Sequence, residues 1–201
     1  MNYPKFYDEI ESIKVKDSLS AVLGAFVHGE YEFNYVDVVK SAGHSCPTVA
    51  GAYLMTLEGL KALYSGERAV RGEIKVEFKE DLEESVAGVI ANVISQITGA
   101  TDKSGFKGLN GKFARHSLMD FNSDINSSVR FKRLDTKKSV DVFYNASSVK
   151  PNPKMQPLMQ KMMQGDATKE ELREFGELWQ DRVKRVFENS AEVIKIVNIL
   201  S

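Results

Sequence analysis

The chain has 201 residues, and its 27 Lys and Arg nearly balance its 28 Asp and Glu, which leaves a formal net charge of −1. This balance excludes a global field that would attract nucleic acid or an acidic membrane surface. The single cysteine excludes an internal disulfide and a zinc ribbon. The N-terminus lacks the pattern of a signal peptide, and no apolar stretch has membrane-spanning length. We therefore expect a soluble, cytoplasmic protein with neither a nucleic-acid nor a membrane partner.

The first third of the chain predicts short elements leading to one long helix. Residues 1–17 favour a short helix or arm, and the apolar run Leu19–Val27 fits either a buried helix or a strand. Alternation over 31–35 predicts an exposed strand, and a short helix is expected over 37–41. Apolar residues recur every three or four positions over Pro47–Tyr64, which predicts a helix.

The remainder of the chain predicts grouped strands followed by helix. The expected elements are a half-buried antiparallel strand over 71–79, a helix over 85–97, a strand over 112–121, a hairpin of 129–134 with 140–144, a long helix from the capping box at Thr168 to about Glu188, and a final strand over 191–200. Between the helix over 85–97 and the next strand, residues 99–111 form a Gly- and Lys-rich loop. A flexible loop is favoured there over a phosphate cradle, because no Walker or dinucleotide pattern is present.

This order predicts the α+β fold class, with an antiparallel sheet packed by helices on one side and a helical C-terminal extension. Pro151, Pro153 and Pro157 mark a linker. We therefore divide the chain into an α+β core, residues 1–150, and a C-terminal helical extension, residues 151–201. The extension includes the candidate final strand and is expected to pack on the core.

The segment Gly43-His44-Ser45-Cys46-Pro47 holds the only cysteine and one of only three histidines. Pro47 suits the first position of a helix, which places Cys46 at or beside the N-cap. A sulfur there lies near the positive end of the helix dipole, which favours the thiolate, the form that acts as nucleophile and metal ligand. The alternative is a buried helix start with a small apolar Cys.

The candidate metal ligands are His44 and Cys46, joined by His28 and His116. Imidazole and thiolate are ligands of zinc and similar transition ions, so a transition metal ion, zinc foremost, is the predicted cofactor. His116 would alternate with Ala114 in a strand and so point towards the core. The alternative for His28 and His116 is a surface or hydrogen-bonded histidine.

Two further groups of residues leave alternatives open. Asn92 and Gln96 interrupt an otherwise apolar helix and either line a ligand pocket or face solvent. The basic cluster in 130–138 favours a solvated hairpin tip, because nucleic-acid binding would require aromatic interleaving or a known module.

Three stretches together resemble one known family over roughly residues 17–200. They are the His-x-Cys-Pro segment opening a helix rich in small residues, the helix end Ile97-Thr98-Gly99-Ala100-Thr101 followed by the Gly- and Lys-rich loop, and the late Trp-containing helix with Arg182-Val183-Lys184. The family is that of the FmdE-like proteins, which take their name from formylmethanofuran dehydrogenase. The resemblance implies an α+β core that binds a metal, often as a homodimer.

The sequence departs from the family pattern at several positions. Ala42 stands where a further His is often found, and Val89 and Ala100 stand near positions often held by Cys. No cysteine follows Cys46, so the C-terminal zinc finger of some members is missing. His28 and His116 are hypothesised to act as substitute ligands.

Three functions remain open from the sequence. The favoured one is a metal-binding protein, extending to a metal-dependent enzyme of unknown substrate, with His44 and Cys46 as ligands. The second is a non-catalytic accessory module that delivers or senses a metal or cofactor for a partner enzyme. The third is a thiol redox or nucleophilic protein that uses Cys46 alone. A homodimer and a small-molecule ligand are the expected partners.

Overall fold

The computed structural model describes residues 2–199, and it confirms the α+β class. The strands are β1 (Ile13–Lys16), β2 (Glu30–Phe33), β3 (Ala69–Val70), β4 (Ile74–Phe78), β5 (Met119–Asp120), β6 (Val129–Arg133), β7 (Ser139–Tyr144) and β8 (Ile194–Ile199). The helices are α1 (Ser18–Val22), α2 (Tyr35–Ala42), α3 (Pro47–Tyr64), α4 (Ala87–Thr98), α5 (Met155–Gln164), α6 (Lys169–Glu188) and α7 (Ser190–Val193). The predicted long helices are thus confirmed as α3, α4 and α6.

The strands form two sheets. The larger has the order β5-β4-β6-β7-β8, and consecutive neighbours from β4 to β8 are antiparallel. The smaller has the order β2-β1-β3, with β1 antiparallel to β2. The structure adds two parallel edge pairs that the sequence does not reveal, β4 with β5 and β1 with β3. Because β3 and β5 have two residues each, they are too short to show as alternation.

α3 is the central helix of the fold. Its side chains are buried around nearly the whole circumference, which is the pattern of a helix inside a core. It packs against β6, β7 and β8 on one side and against α4 and α6 elsewhere. A Cβ at Gly59 would lie 2.8 Å from the Phe131 ring, and one at Gly51 would overlap the Tyr144 ring. These two glycines, eight residues apart, let the helix lie close against β6 and β7.

The segment 112–121 is not the strand that its alternation predicts. Only Met119–Asp120 is extended, and Phe113 and Ser117 adopt positive φ angles of 61° and 58°. Their turns bring Arg115 into the interior, where its Nη2 donates to Oδ1 of Asp17 at 2.6 Å. A buried ion pair across 98 residues overrides the local pattern.

The apolar run Leu19–Val27 is likewise neither a buried helix nor a strand. α1 ends after one turn, and Gly24 follows with a φ of 71°. Val22 and Val27 are 65% and 80% exposed. The turn at Gly24 interrupts the helix before its apolar residues can form a continuous stripe.

The C-terminal elements return to the core. α5 packs on α6, α6 packs on α3, and β8 pairs with β7 along its whole length. The predicted capping box is confirmed, because Glu171 N–H donates to Thr168 Oγ1 at 3.2 Å and Thr168 N–H donates to Glu171 Oε2 at 2.9 Å. The predicted final strand is present as β8, while Leu200, its expected last residue, lies outside the described residues, as do Met1 and Ser201.

Candidate functional site

The His-Ser-Cys-Pro segment connects α2 to α3. α2 ends at Gly43, whose φ of 74° suits glycine and whose N–H donates to Val39 O. The predicted N-cap position of Cys46 is confirmed, with Pro47 as the first helical residue. Val49 N–H donates to Cys46 Sγ at 3.4 Å. The sulfur therefore satisfies one of the free N–H groups at the start of α3.

Ser45 anchors this segment from inside. It is buried, and its Oγ lies 2.8 Å from the hydroxyl of Tyr35. Its carbonyl accepts from Trp179 Nε1 at 2.8 Å and from Gln180 Nε2 at 3.3 Å. Side chains from α2 and α6 thus hold the backbone between His44 and Cys46.

Tyr144 of β7 anchors the other side of the segment. Its hydroxyl donates to the carbonyl of Pro47 at 2.6 Å, and its ring occupies the space left by Gly51. Burial raises the pKa of Tyr144 to about 12, and burial also raises the pKa of Tyr35 strongly. Both phenols are therefore protonated at neutral pH and serve as hydrogen-bonding groups. No motif in the sequence indicates these two tyrosines, because the role of each depends on tertiary packing, which brings Tyr144 to Pro47 across 97 residues.

His44 lies in a pocket of about 410 Å³ between the end of α2 and one face of α4. The lining consists of Ser41, Ala42, His44, Val89, Asn92, Val93, Ser95 and Gln96. His44 Nδ1 lies 3.0 Å from the carbonyl oxygen of Ala42. Because a carbonyl only accepts, Nδ1 carries the proton in the neutral ring, and Nε2 keeps its lone pair.

Asn92 and Gln96 line this same pocket, one helical turn apart on α4. Asn92 is exposed, whereas Gln96 is partly buried and donates through Nε2 to the carbonyl of Asp37 at 3.2 Å. Gln96 therefore ties α4 to α2 with its amide nitrogen. The structure brings both residues together with His44.

His28 and His116 lie elsewhere. His28 is exposed at a φ of 55°, and His116 lies in the turn before β5 with Nδ1 3.0 Å from Ser117 Oγ. Within residues 2–199, no three His, Cys, Asp or Glu side chains are grouped to hold a metal ion. A structural zinc needs four protein ligands and a catalytic zinc needs three. The described part of one chain offers at most two donors here, His44 and Cys46, of which only His44 lines the pocket, so it does not fit a closed, resident zinc site.

A second polar cluster lies at the C-terminal end of α4, next to the His44 pocket. Asp17 is buried, its Oδ2 accepts from Arg71 Nη1 at 3.1 Å, and its Oδ1 accepts from Arg115. Arg71 also donates to the carbonyls of Gln96 and Ile97 at the end of α4. Burial acts to raise the pKa of Asp17, but the N–H of Ser20 and the two arginine charges hold it below its usual value. No local signal in the sequence indicates this cluster.

The fold and the site together define an α+β protein built around one buried helix, with a His-x-Cys-Pro segment at the start of that helix and a polar pocket beside it. A family model described as "FmdE, Molybdenum formylmethanofuran dehydrogenase operon" matches residues 42–195. The match spans well over half of the chain, so the chain belongs to this family. Comparison with curated proteins found no match.

The departures from the family pattern have a structural counterpart. Ala42 and Val89 both line the His44 pocket, whereas Ala100 is fully buried. Ala42 and Val89 thus belong, with Val93, to the apolar part of the lining of this pocket. Over residues 2–199, no helix combines the length and apolar character needed to cross a membrane.

Proposed function

We propose that this chain is a non-catalytic accessory module that binds a transition metal ion, zinc foremost, reversibly through His44 and Cys46. The observation that carries the proposal is the contact between His44 Nδ1–H and the Ala42 carbonyl. Metal-binding histidines commonly donate their other N–H to such an acceptor, which fixes the ring and leaves Nε2 available. A bound ion would supply a Lewis-acidic centre with open positions.

The incomplete ligand set supports reversible exchange over permanent retention. Two donors from the chain leave the other coordination positions to water, a small ligand or a partner. The asparagine, glutamine and serine side chains of the pocket are neutral, and its lining includes no carboxylate, thiol or lysine side chain. The nearby Tyr35 and Tyr144 are protonated, so neither is a ready general base.

The family description supports a role beside an enzyme. It refers to the operon of a molybdenum formylmethanofuran dehydrogenase. An accessory protein that delivers or senses an ion or cofactor for an enzyme agrees with a pocket that has few catalytic groups. Trp179 of the long helix α6 donates to the carbonyl of Ser45, which lies between His44 and Cys46. Through this contact, α6 would transmit the effect of metal binding to a surface that binds a partner.

The test is metal titration of the full chain after removal of bound ions with a chelator. Zinc should bind saturably in competition with a chromophoric chelator, and cobalt should give a thiolate charge-transfer absorption. The His44→Ala, Cys46→Ala double variant should lose both signals. The matched His28→Ala, His116→Ala variant should keep both. Unchanged zinc affinity in the His44→Ala, Cys46→Ala variant would contradict the proposal.

A homodimer is a second arrangement, favoured by the same half-filled ligand set. If two copies share one ion, each can contribute His44 and Cys46, which gives the four ligands of a closed site. Sedimentation of the full chain with and without zinc separates the two arrangements. One zinc per two chains with zinc-dependent dimers supports the shared site, whereas one zinc per chain on a monomer supports the open site. A metal-dependent enzyme of unknown substrate stays a prediction.

A further inference from the structure

Methionine is concentrated in α5, a short helix of the C-terminal extension. Four of the seven methionines of the chain lie there, at positions 155, 159, 162 and 163. Residues three and four positions apart are neighbours on a helix surface, so Met159 lies next to both Met162 and Met163. One side of α5 therefore carries a stripe of thioether groups.

Packing on α6 accounts for only part of this stripe. α5 packs against α6, and its buried residues are Met155 and Leu158. Met159 and Met163, in contrast, are 39% and 78% exposed, and Met162 is partly buried. Three thioethers within about one helical turn thus lie at the border of the core with solvent, where an ion can reach them.

The donor groups of this turn are soft. α5 contains no cysteine, histidine, aspartate or glutamate, and its polar side chains other than methionine are glutamines and Lys161. Lys161 forms an ion pair with Glu171 of α6, so its charge is offset. Thioether sulfur is a ligand typical of copper(I), whereas hard divalent cations prefer carboxylate, carbonyl and water oxygens. The side chains of α5 therefore favour a soft monovalent ion.

We propose that Met159, Met162 and Met163 bind a copper(I) ion at the surface of α5. The Cβ atoms of residues three and four positions apart on a helix lie about 5–6 Å from each other. Because the methionine side chain is unbranched and flexible, the three sulfur atoms can converge on one ion. The site shares no ligand with His44 and Cys46 and goes beyond the function proposed above. A thioether loses no proton when it binds a metal, unlike a thiol, so copper(I) affinity does not depend on pH.

The test uses the full chain carrying His44→Ala and Cys46→Ala, with its methionine methyl groups labelled with carbon-13. This background lacks the ligands of the proposed zinc site, so failure of one proposal is distinguishable from failure of the other. Copper(I) under anaerobic conditions should shift the methyl signals of Met159, Met162 and Met163 saturably and with the same affinity at pH 5 and pH 8. Silver(I), a soft ion of the same charge that is stable in air, should shift the same signals. Zinc should shift none of them.

The variant Met159→Leu, Met162→Leu, Met163→Leu in the same background removes the three sulfur atoms. Leucine conserves volume and helix propensity, so the variant should keep its fold, while saturable silver(I) binding should be lost. Met119→Leu is the matched control, because Met119 is buried in β5, and it should leave silver(I) affinity unchanged.

Three results would each overturn the copper(I) site. The first is that neither soft ion shifts the three methyl signals, and the second is that zinc shifts them equally. The third is that the triple leucine variant keeps the silver(I) affinity of Met119→Leu.

Discussion

The Asp17 cluster and the His44 pocket lie near each other along α4 and show opposite uses of polar side chains. In the cluster, Asp17 accepts from two arginines, from the Tyr31 hydroxyl and from two backbone N–H groups at the start of α1. In the pocket, His44 is exposed and Asn92 faces open space. A carboxylate saturated by internal partners holds structure together, whereas exposed donors and acceptors remain available to a ligand.

Gln96 joins the two regions. Its backbone carbonyl oxygen accepts from Arg71 of the cluster. Its side chain lines the pocket and donates through Nε2 to the backbone carbonyl of Asp37. The cluster thus fixes the end of α4, and α4 in turn presents Asn92 and Gln96 towards His44. We infer that substitutions in the cluster change the free energy of unfolding, while substitutions in the pocket change binding.

The largest effect is expected from Asp17→Ala. It leaves Arg71 and Arg115 without their shared carboxylate, and breaking a buried ion pair on one side costs about 3–5 kcal/mol. Urea denaturation followed by circular dichroism measures the loss. Asp37→Ala removes a more exposed carboxylate that caps α2 and should cost about 0.5–2 kcal/mol. Equal losses in the two variants would contradict the structural role of the cluster.

A smaller loss, about 1–3 kcal/mol, is expected from Gly51→Ala. The new Cβ would overlap the Tyr144 ring and displace the hydroxyl that donates to Pro47. Thermal unfolding measures it. Gly176→Ala is the control, because no atom beyond the neighbouring backbone of α6 lies within 4 Å of its Cβ position, and it should stabilise the chain by about 0.5–1 kcal/mol. A neutral Gly51→Ala would show that Tyr144 does not support the segment.

Acidification should remove part of the contribution that Asp17 makes to the free energy of unfolding. The pKa of Asp17 is lower in the folded chain than the usual value of about 3.9, so its ionised form stabilises the fold above that value. That contribution is lost as the pH falls through the folded-state pKa. Urea denaturation between pH 5 and pH 2 should show a shallower pH dependence in Asp17→Asn than in the unsubstituted chain. If stability falls equally with pH in the two chains, the loss does not come from protonation of Asp17.

The smallest effect on stability is expected from His44→Ala. The ring is exposed and makes one hydrogen bond to its own chain segment, so the free energy of unfolding should change by less than about 0.5 kcal/mol. The same variant should weaken zinc binding. If urea denaturation shows a loss of stability well above this limit, His44 is a structural residue like those of the Asp17 cluster.

The sequence was most informative where a local rule acts alone. Pro47 and the apolar spacing after it correctly predict α3, and Thr168 with Glu171 correctly predicts the start of α6. The segment Lys112–Phe121 was predicted as a strand, and this prediction is wrong except at Met119–Asp120. Its conformation depends on Arg115 reaching Asp17, and a contact across 98 residues leaves no trace in local periodicity.

The sequence by itself determined the α+β class, the family and the N-cap position of Cys46, because these follow from spacing, proline geometry and short motifs. Only the tertiary structure decided which side chains surround that motif. It placed Asn92 and Gln96 beside His44 and set His28 and His116 in other parts of the fold. These outcomes depend on how α3, α4 and the larger sheet pack together, and packing is a property of distant residues in contact.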